Sequence, residues 1–135
     1  MRVVLDSNIY VSALMLPGGS ADVALSAALE GAYVALLSEP IRGETLGVLG
    51  RKFARDKEEL ARVAIFLGEL TEHVAPRTRL NVLADEPNHR VLECAVEGGA
   101  DLIVTGDRAM LRLGRFEGVA IVSLRDFLAR LESPA

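Results

Sequence analysis

The chain has 135 residues, half of them hydrophobic and a quarter charged, which excludes a disordered chain and predicts a single domain over residues 1–135. Its net charge of −4 provides no global attraction for nucleic acid, so an RNA or DNA partner would have to meet local basic patches or metal ions. No apolar stretch approaches the roughly 18 residues that span a membrane, and the single Cys94 cannot form an internal disulfide, so no membrane contact and a cytoplasmic location are expected.

Apolar runs of three or four residues predict buried strands, and apolar residues spaced three and four apart predict helices. The two kinds of element alternate, which predicts an α/β fold with a mainly parallel sheet. The segment 72–84 is ambiguous between a short strand and a loop. In chain order, the predicted elements are a strand at 3–5, a helix at 8–16, a helix at 20–30, a strand at 34–37, a helix capped by Ser38, a helix opened by Asp56, a helix opened at Pro87 or Asn88, a strand at 102–104, a helix at 108–113, a strand at 119–122 and a helix capped by Ser123.

Two of the predicted strands are followed by a carboxylate, Asp6 after the first and Asp107 after residues 102–104. Ligands of parallel sheets bind beyond the carboxyl ends of the strands, so the two acids are expected at one edge. Each acid is alternatively a helix N-cap. Asp101, which precedes its strand, is expected at the opposite edge with a structural role.

A third acid, Glu44, lies along the margin of the apolar stripe of the helix that Ser38 caps. There it either reaches solvent or faces a pocket. Glu39, in the first turn of the same helix, is explained by the helix dipole. Asn88 points toward the apolar face of its helix, whereas Glu93 is expected to face solvent. Asn88 is alternatively a plain N-cap.

Together these residues suggest a cluster of Asp6, Glu44 and Asp107 beside Asn88. Two carboxylates about 5 Å apart repel by about 3 kcal/mol at an effective dielectric constant of about 20. Such a cluster must bind a cation, take up a proton or lose a charge. Ligation by oxygen alone suits Mg²⁺ or Mn²⁺, whereas zinc prefers His or Cys. Thr105 and Ser7 are candidates to hydrogen-bond the acids or a phosphate.

The chain resembles the PIN-domain ribonucleases, of the group that forms the toxin components of toxin–antitoxin pairs, almost from end to end. The block ending at Asp107, found at the correct distance from the opening block, is the most specific part of the resemblance. The residues that carry it are Val3-Val4-Leu5-Asp6-Ser7-Asn8, Leu37-Ser38-Glu39-Pro40-Ile41 leading to Glu44, Leu92-Glu93-Cys94-Ala95, and Gly99-Ala100-Asp101-Leu102-Ile103-Val104-Thr105-Gly106-Asp107.

The resemblance implies a three-layer α/β/α sandwich around the parallel sheet, and a ribonuclease that uses Mg²⁺ or Mn²⁺ held by three or four acids. It assigns the metal ligands to Asp6, Glu44 and Asp107. The remaining acid of the family falls on Asn88, which brings no negative charge although its carbonyl oxygen can still ligate. Asp85, three residues earlier, is an alternative ligand. The resemblance also implies an RNA substrate, an antitoxin protein partner and a homodimer.

Two other functions remain open from the sequence. The first is a catalytically weakened PIN-like module that binds RNA or a protein partner, which Asn88 favours. The second is a phosphatase-like hydrolase with Asp6 as nucleophile, although such enzymes commonly have a second acid where this chain has Asn8. Most basic residues are arginine, which suits bidentate contact with phosphate, and His89 is expected at the surface. The two arginine-rich clusters are Arg51, Lys52 and Arg55, and Arg108, Arg112 and Arg115.

Overall fold

The computed structural model describes residues 1–77, 79–80 and 86–133, apart from the side chains of residues 86 and 87. Within these residues the strands are β1 Arg2–Leu5, β2 Val34–Leu37, β3 Glu72–His73, β4 Leu102–Val104, β5 Arg115–Phe116 and β6 Val119–Val122. The helices are α1 Ser7–Met15, α2 Ser20–Leu29, α3 Glu39–Lys52, α4 Lys57–Leu70, α5 Glu86–Glu97, α6 Arg108–Leu113 and α7 Leu124–Glu132.

The described strands form one sheet in the order β3-β2-β1-β4-β6-β5, parallel throughout except for the antiparallel pair β5–β6. Val3, Val4 and Leu5 of β1 are all fully buried, although successive residues of a strand face opposite sides. Helices therefore cover both faces of the sheet, as parallel sheets require. The expected three-layer α/β/α sandwich with a mainly parallel sheet is confirmed.

Helix packing places the core on both sides of β1. Helix α5 lies against β1, β2 and β4, while α2 contacts α1 and α7. The Tyr33 ring meets Phe127 of α7 edge to face at 5.0 Å, and its hydroxyl donates to the Ala24 carbonyl of α2 at 2.7 Å. No single helix of the described residues is long and apolar enough to cross a membrane, although the bent pair α1 and α2 reaches that length and composition when taken together.

The sequence signals at the helix ends act as expected for several elements. Asp56 accepts a hydrogen bond from the Glu59 backbone at 2.8 Å, and Ser123 accepts one from the Asp126 backbone at 3.1 Å. Pro40 occupies the first turn of α3, where no hydrogen bond is lost. Gly114 ends α6 with φ +71°, a conformation that favours glycine.

The two shortest strands differ from expectation. β5 was not predicted, and β3 lies in the ambiguous segment. Two residues are too few to show an alternating pattern, so the pairing of β3 with β2 and of β5 with β6 fixes them instead. The strand at β2 and those at β4 and β6 have the predicted bounds.

Candidate active site

A polar residue directly follows each of the three neighbouring strands β1, β2 and β4. Asp6 comes directly after β1, Ser38 after β2 and Thr105 after β4, and all three are buried. Leu5 and Val104 are paired in register, and the Asp6 backbone N–H donates to the Val104 carbonyl at 3.0 Å. The expectation that the residues after β1 and β4 share one edge is confirmed.

Asp6 holds the N-cap position of α1, but its side chain makes no capping hydrogen bond. Instead its Oδ2 accepts a hydrogen bond of 2.7 Å from the Thr105 hydroxyl, and its Oδ1 accepts a longer one of 3.4 Å from Ser7. The predicted role of Thr105 and Ser7 is thereby confirmed as contact with this acid. Asp6 therefore occupies the N-cap position without the side-chain hydrogen bond by which an N-cap residue usually acts.

The burial of Asp6, which is 7% exposed, raises the pKa of its carboxyl group. The negative charge of Asp107 raises it further, whereas the hydrogen bonds from Thr105 and Ser7 oppose the shift. The Thr105 hydroxyl, which donates to Asp6 Oδ2, also accepts the Asp107 backbone N–H at 3.0 Å, so the two acids lie near one another. A buried carboxylate with a second carboxylate nearby favours a proton or a cation.

A cavity of about 200 Å³ lies beside Asp6 at the carboxyl edge of the sheet. The residues that line it are Asp6, Ser7, Pro40, Ile41, Glu44, Arg90 and Val91. Glu44 of α3 is exposed and lies on the wall of this cavity. Two of the predicted acids, 38 residues apart in the chain, therefore meet in one space. Glu44 both reaches solvent and lines the cavity, so both alternatives for its side chain hold.

Asp107 lies near Asp6 and also caps a helix. Its Oδ1 accepts a hydrogen bond of 3.0 Å from the Met110 backbone and so caps α6. Its own backbone N–H donates to Thr105 Oγ1 at 3.0 Å. Asp107 does not belong to the residues that line the cavity of Asp6 and Glu44.

The comparisons with known proteins agree with this geometry. The family model described as the PIN domain matches residues 2–109, which is most of the chain. The chain belongs to the PIN-domain family. It is 27% identical over 117 residues to the uncharacterized protein MJ1680 of Methanocaldococcus jannaschii, covering 84% of this chain and 75% of the relative.

Its fold is also that of a solved structure, VapBC2 from Rickettsia felis bound to a DNA fragment from their promoter. The TM-score is 0.61 at 16% identity, with 91% of this chain and 98% of the other covered. At that identity the likeness shows the shared fold alone. It independently supports the three-layer architecture of this PIN domain.

Within the described residues, no three His, Cys, Asp or Glu side chains lie close enough together to hold a metal ion. Asp6, Glu44 and Asp107 are therefore not a preformed three-acid cage, since Asp107 caps α6. The donors nevertheless fit Mg²⁺ or Mn²⁺. Mg²⁺ is usually held through one or two carboxylates, with waters and substrate phosphates completing its coordination, and Asp6 and Glu44 offer such a pair.

Asn88 of this PIN domain is buried, at 4% exposed, as its inward position predicted. Its Nδ2 has no hydrogen-bond partner among the described residues. The α5 residues that line the cavity are Arg90 and Val91, so Asn88 does not share the wall with Glu44. Asp85, the alternative ligand, lies outside the described residues.

Two expectations for α5 are wrong. Glu93 was expected in solvent but is 5% exposed, and its Oε2 accepts a hydrogen bond of 2.7 Å from the Leu80 backbone. His89 was expected at the surface and is also buried. Helical periodicity gave the face toward the sheet correctly, but it could not show that the chain near Leu80 covers a second face of α5.

Sequence reasoning missed Arg90, a cation on the wall of the acidic cavity. Its side chain is 14% exposed, and its Nε lies 3.3 Å from Glu93 Oε1. The spacing of three residues between Arg90 and Glu93 is that of a helical ion pair and was the available signal.

Cys94 is buried as a small core residue, as expected, and burial raises the pKa of its thiol to about 12.

Proposed function

We propose that this PIN domain is a metal-dependent endoribonuclease that hydrolyses phosphodiester bonds in RNA. The observation that carries the proposal is the cavity in which buried Asp6 meets Glu44 at the carboxyl edge of the sheet. Thr105 donates a hydrogen bond to the Asp6 carboxylate, which makes no capping hydrogen bond to α1. A buried carboxylate with a raised pKa in a cleft is typical of functional sites.

Mg²⁺ or Mn²⁺, when bound, would polarise the phosphate and lower the pKa of a coordinated water. In the proposed mechanism, Asp6 and Glu44 of the shared cavity would hold the ion, and Glu44 would also orient the attacking water. Asp107, which Thr105 links to Asp6, would supply a further ligand. Thr105 fixes the Asp6 carboxylate in place through its 2.7 Å hydrogen bond. Arg90, on the same cavity wall, offers a positive charge to the phosphate.

The biological setting belongs to the same proposal. We expect a cytoplasmic toxin that is held by an antitoxin protein and forms a homodimer. A groove of about 260 Å³ supports a protein partner, because α1, α3 and α4 each contribute apolar side chains to its lining. The residues lining this groove are Leu14, Met15, Leu49, Arg55, Glu59, Arg62 and Val63.

A second function is favoured by two observations: Asn88 stands where an acid is expected, and no three-acid group is formed by the described residues. On this alternative the chain is a catalytically weakened PIN domain that binds RNA or a protein partner. Losing a contact that orients a metal ligand typically costs about 10–100-fold in metal affinity or activity, and on this alternative the loss of a ligand charge would cost more. The alternative predicts RNA binding without cleavage.

Cleavage of single-stranded RNA with added Mg²⁺, with Mn²⁺ or with chelator separates the two functions. We expect the wild type to cut with either metal, and Asp6→Asn to remain folded without cutting. A matched control is Asp101→Asn, at the opposite edge of the sheet, where Asp101 accepts a hydrogen bond from the Arg2 backbone. Absence of cutting by the wild type under all metal conditions would overturn the proposed activity.

A further inference from the structure

A second cavity, of about 240 Å³, adjoins the acidic one. Pro40 and Arg90 line both, so the two spaces share a wall. Asp6 does not line the second cavity, whose lining includes His73, Pro76 and Arg79. A chain-like ligand whose reacting bond lies at Asp6 would therefore have space on this side for its next unit.

One buried carboxylate organises this second cavity. Glu93 Oε1 lies 3.3 Å from Arg90 Nε, and Glu93 Oε2 accepts a hydrogen bond of 2.7 Å from the Leu80 backbone. Arg79 directly precedes Leu80 in the chain. Glu93 therefore positions two arginines at the same cavity, one through its guanidinium and the other through the neighbouring backbone.

Two glutamates and two arginines line the second cavity, so its attraction for an anion depends on how these charges are paired. Its two carboxylates are each paired with an arginine, Glu93 with Arg90, and Glu39 with Arg42 at 2.6 Å. Arg79 adds a positive charge at the exposed mouth. Arginine matches phosphate geometry with parallel N–H donors.

We propose that this second cavity is a subsite for the nucleotide that adjoins the scissile bond of single-stranded RNA. Arg79 binds the flanking phosphate, while Arg90 stands at the boundary between the two nucleotides. His73 and Pro76 supply a ring and an apolar surface for the base, in the manner by which proteins stack unpaired RNA bases. This inference rests on the proposed function, since it deepens the same site.

The test measures RNA binding rather than cleavage, in an Asp6→Asn background that leaves the oligonucleotide intact. Arg79→Gln is compared with Arg77→Gln, a matched control two residues away whose guanidinium lies 3.4 Å from Glu97. We expect Arg79→Gln to raise Kd several-fold and to lower the slope of log Kd against log salt by about 0.7, the value for one phosphate on a single strand. Arg77→Gln should change neither, and Arg79→Lys should restore the slope.

A methylphosphonate placed at each RNA linkage in turn locates the contact. We expect the neutral linkage next to the scissile bond to weaken RNA binding by the protein that retains Arg79. The same linkage should cause no further loss of binding in Arg79→Gln, because the two changes remove the same interaction. Equal effects of Arg79→Gln and Arg77→Gln, or additive losses at that linkage, would overturn the subsite while the nuclease proposal stands. Failure of both the wild type and the Asp6→Asn protein to bind RNA would overturn both proposals.

Discussion

Thr105 Oγ1 donates a hydrogen bond of 2.7 Å to Asp6 Oδ2 and accepts one of 3.0 Å from the Asp107 backbone N–H. One hydroxyl group thus links the acids that follow β1 and β4. It orients the Asp6 carboxylate and ties the start of α6 to the same point. The relative placement of the two acids depends on this threonine.

Replacing Thr105 with valine keeps the volume of the side chain but removes the link. We expect Thr105→Val to lower metal affinity or activity by about 10–100-fold, the usual cost of losing a contact that orients a ligand. The measurement is Mn²⁺ titration together with RNA cleavage. Thr105→Ser, which retains the hydroxyl, should restore most of the loss.

Thr45 provides the matched control for that substitution. It is equally buried, but its hydroxyl donates to the Ile41 carbonyl of its own helix at 2.9 Å. Thr45→Val should leave metal affinity unchanged. If both valine variants lost metal affinity alike, repacking rather than the link to Asp6 would explain the effect.

Asp6 makes the metal-free protein sensitive to pH. Its pKa is raised in the folded state, so the folded form binds the proton more tightly than the unfolded chain does. The free energy of unfolding therefore falls as pH rises from the unfolded pKa of about 3.9 through the raised folded pKa. Thermal unfolding with chelator, measured over this range, should show the fall.

Asp6→Asn should remove that dependence. At neutral pH we expect the metal-free variant to be more stable than the wild type by about 0.5–2 kcal/mol, a gain typical of removing one unfavourable group. The difference should vanish below both pKa values, where the wild-type carboxyl is neutral. A variant less stable than the wild type at neutral pH would contradict the raised pKa.

Much of the fold could be predicted from the sequence, because the hydrophobic patterns of its main strands and helices are clear. The residues of β1 and β4 are continuous apolar runs, and both ends of the chain alternate strands with helices. Asp6 was found for the same reason, since its position after β1 is fixed by the run before it. The antiparallel β5 was not found, because Arg115 and Phe116 show no period of their own.

Only part of the candidate active site could be predicted from the sequence. Asp6 and Glu44 were predicted together and share a cavity. The buried state of Glu93 and the place of Arg90 depend on how the chain near Leu80 lies over α5. That packing connects residues 13 positions apart in the chain. The sequence near Leu80 carries no periodic pattern, so helical geometry alone could not supply it.

Asn88→Asp tests the departure from the family pattern. A carboxylate in place of the buried Asn88 amide should lower metal-free stability at neutral pH by about 1–3 kcal/mol, the cost of a buried group without a partner. Because the new carboxyl would have a raised pKa, acid should restore the stability. Unfolding curves at neutral and acid pH measure this.

The Asn88→Asp variant also tests RNA cleavage. We expect wild-type cleavage to be measurable and Asn88→Asp to alter it by less than Asp6→Asn does. Cutting that appears only in Asn88→Asp would favour the binding module as the function of the wild type. The assay needs equal protein concentrations and one RNA substrate.

The junction between α5 and the sheet is tightly packed at Gly98. A Cβ there would lie 2.9 Å from the Cys94 carbonyl oxygen and 2.9 Å from Leu36 Cδ1. Gly98→Ala should therefore destabilise the fold by about 1–3 kcal/mol. Gly43→Ala, in α3 with nothing within 4 Å of its Cβ, should instead stabilise it by about 0.5–1 kcal/mol. Denaturant unfolding of both variants measures the contrast, and equal shifts would contradict it.

The most direct measurement of the central claim is anomalous diffraction from crystals soaked in Mn²⁺. The account predicts a peak in the cavity between the carboxylates of Asp6 and Glu44, on the side where Thr105 holds Asp6. The peak should be lost in Asp6→Asn crystals. A Mn²⁺ peak at another surface, with the Asp6 carboxylate still bound only to Thr105 and Ser7, would contradict the account.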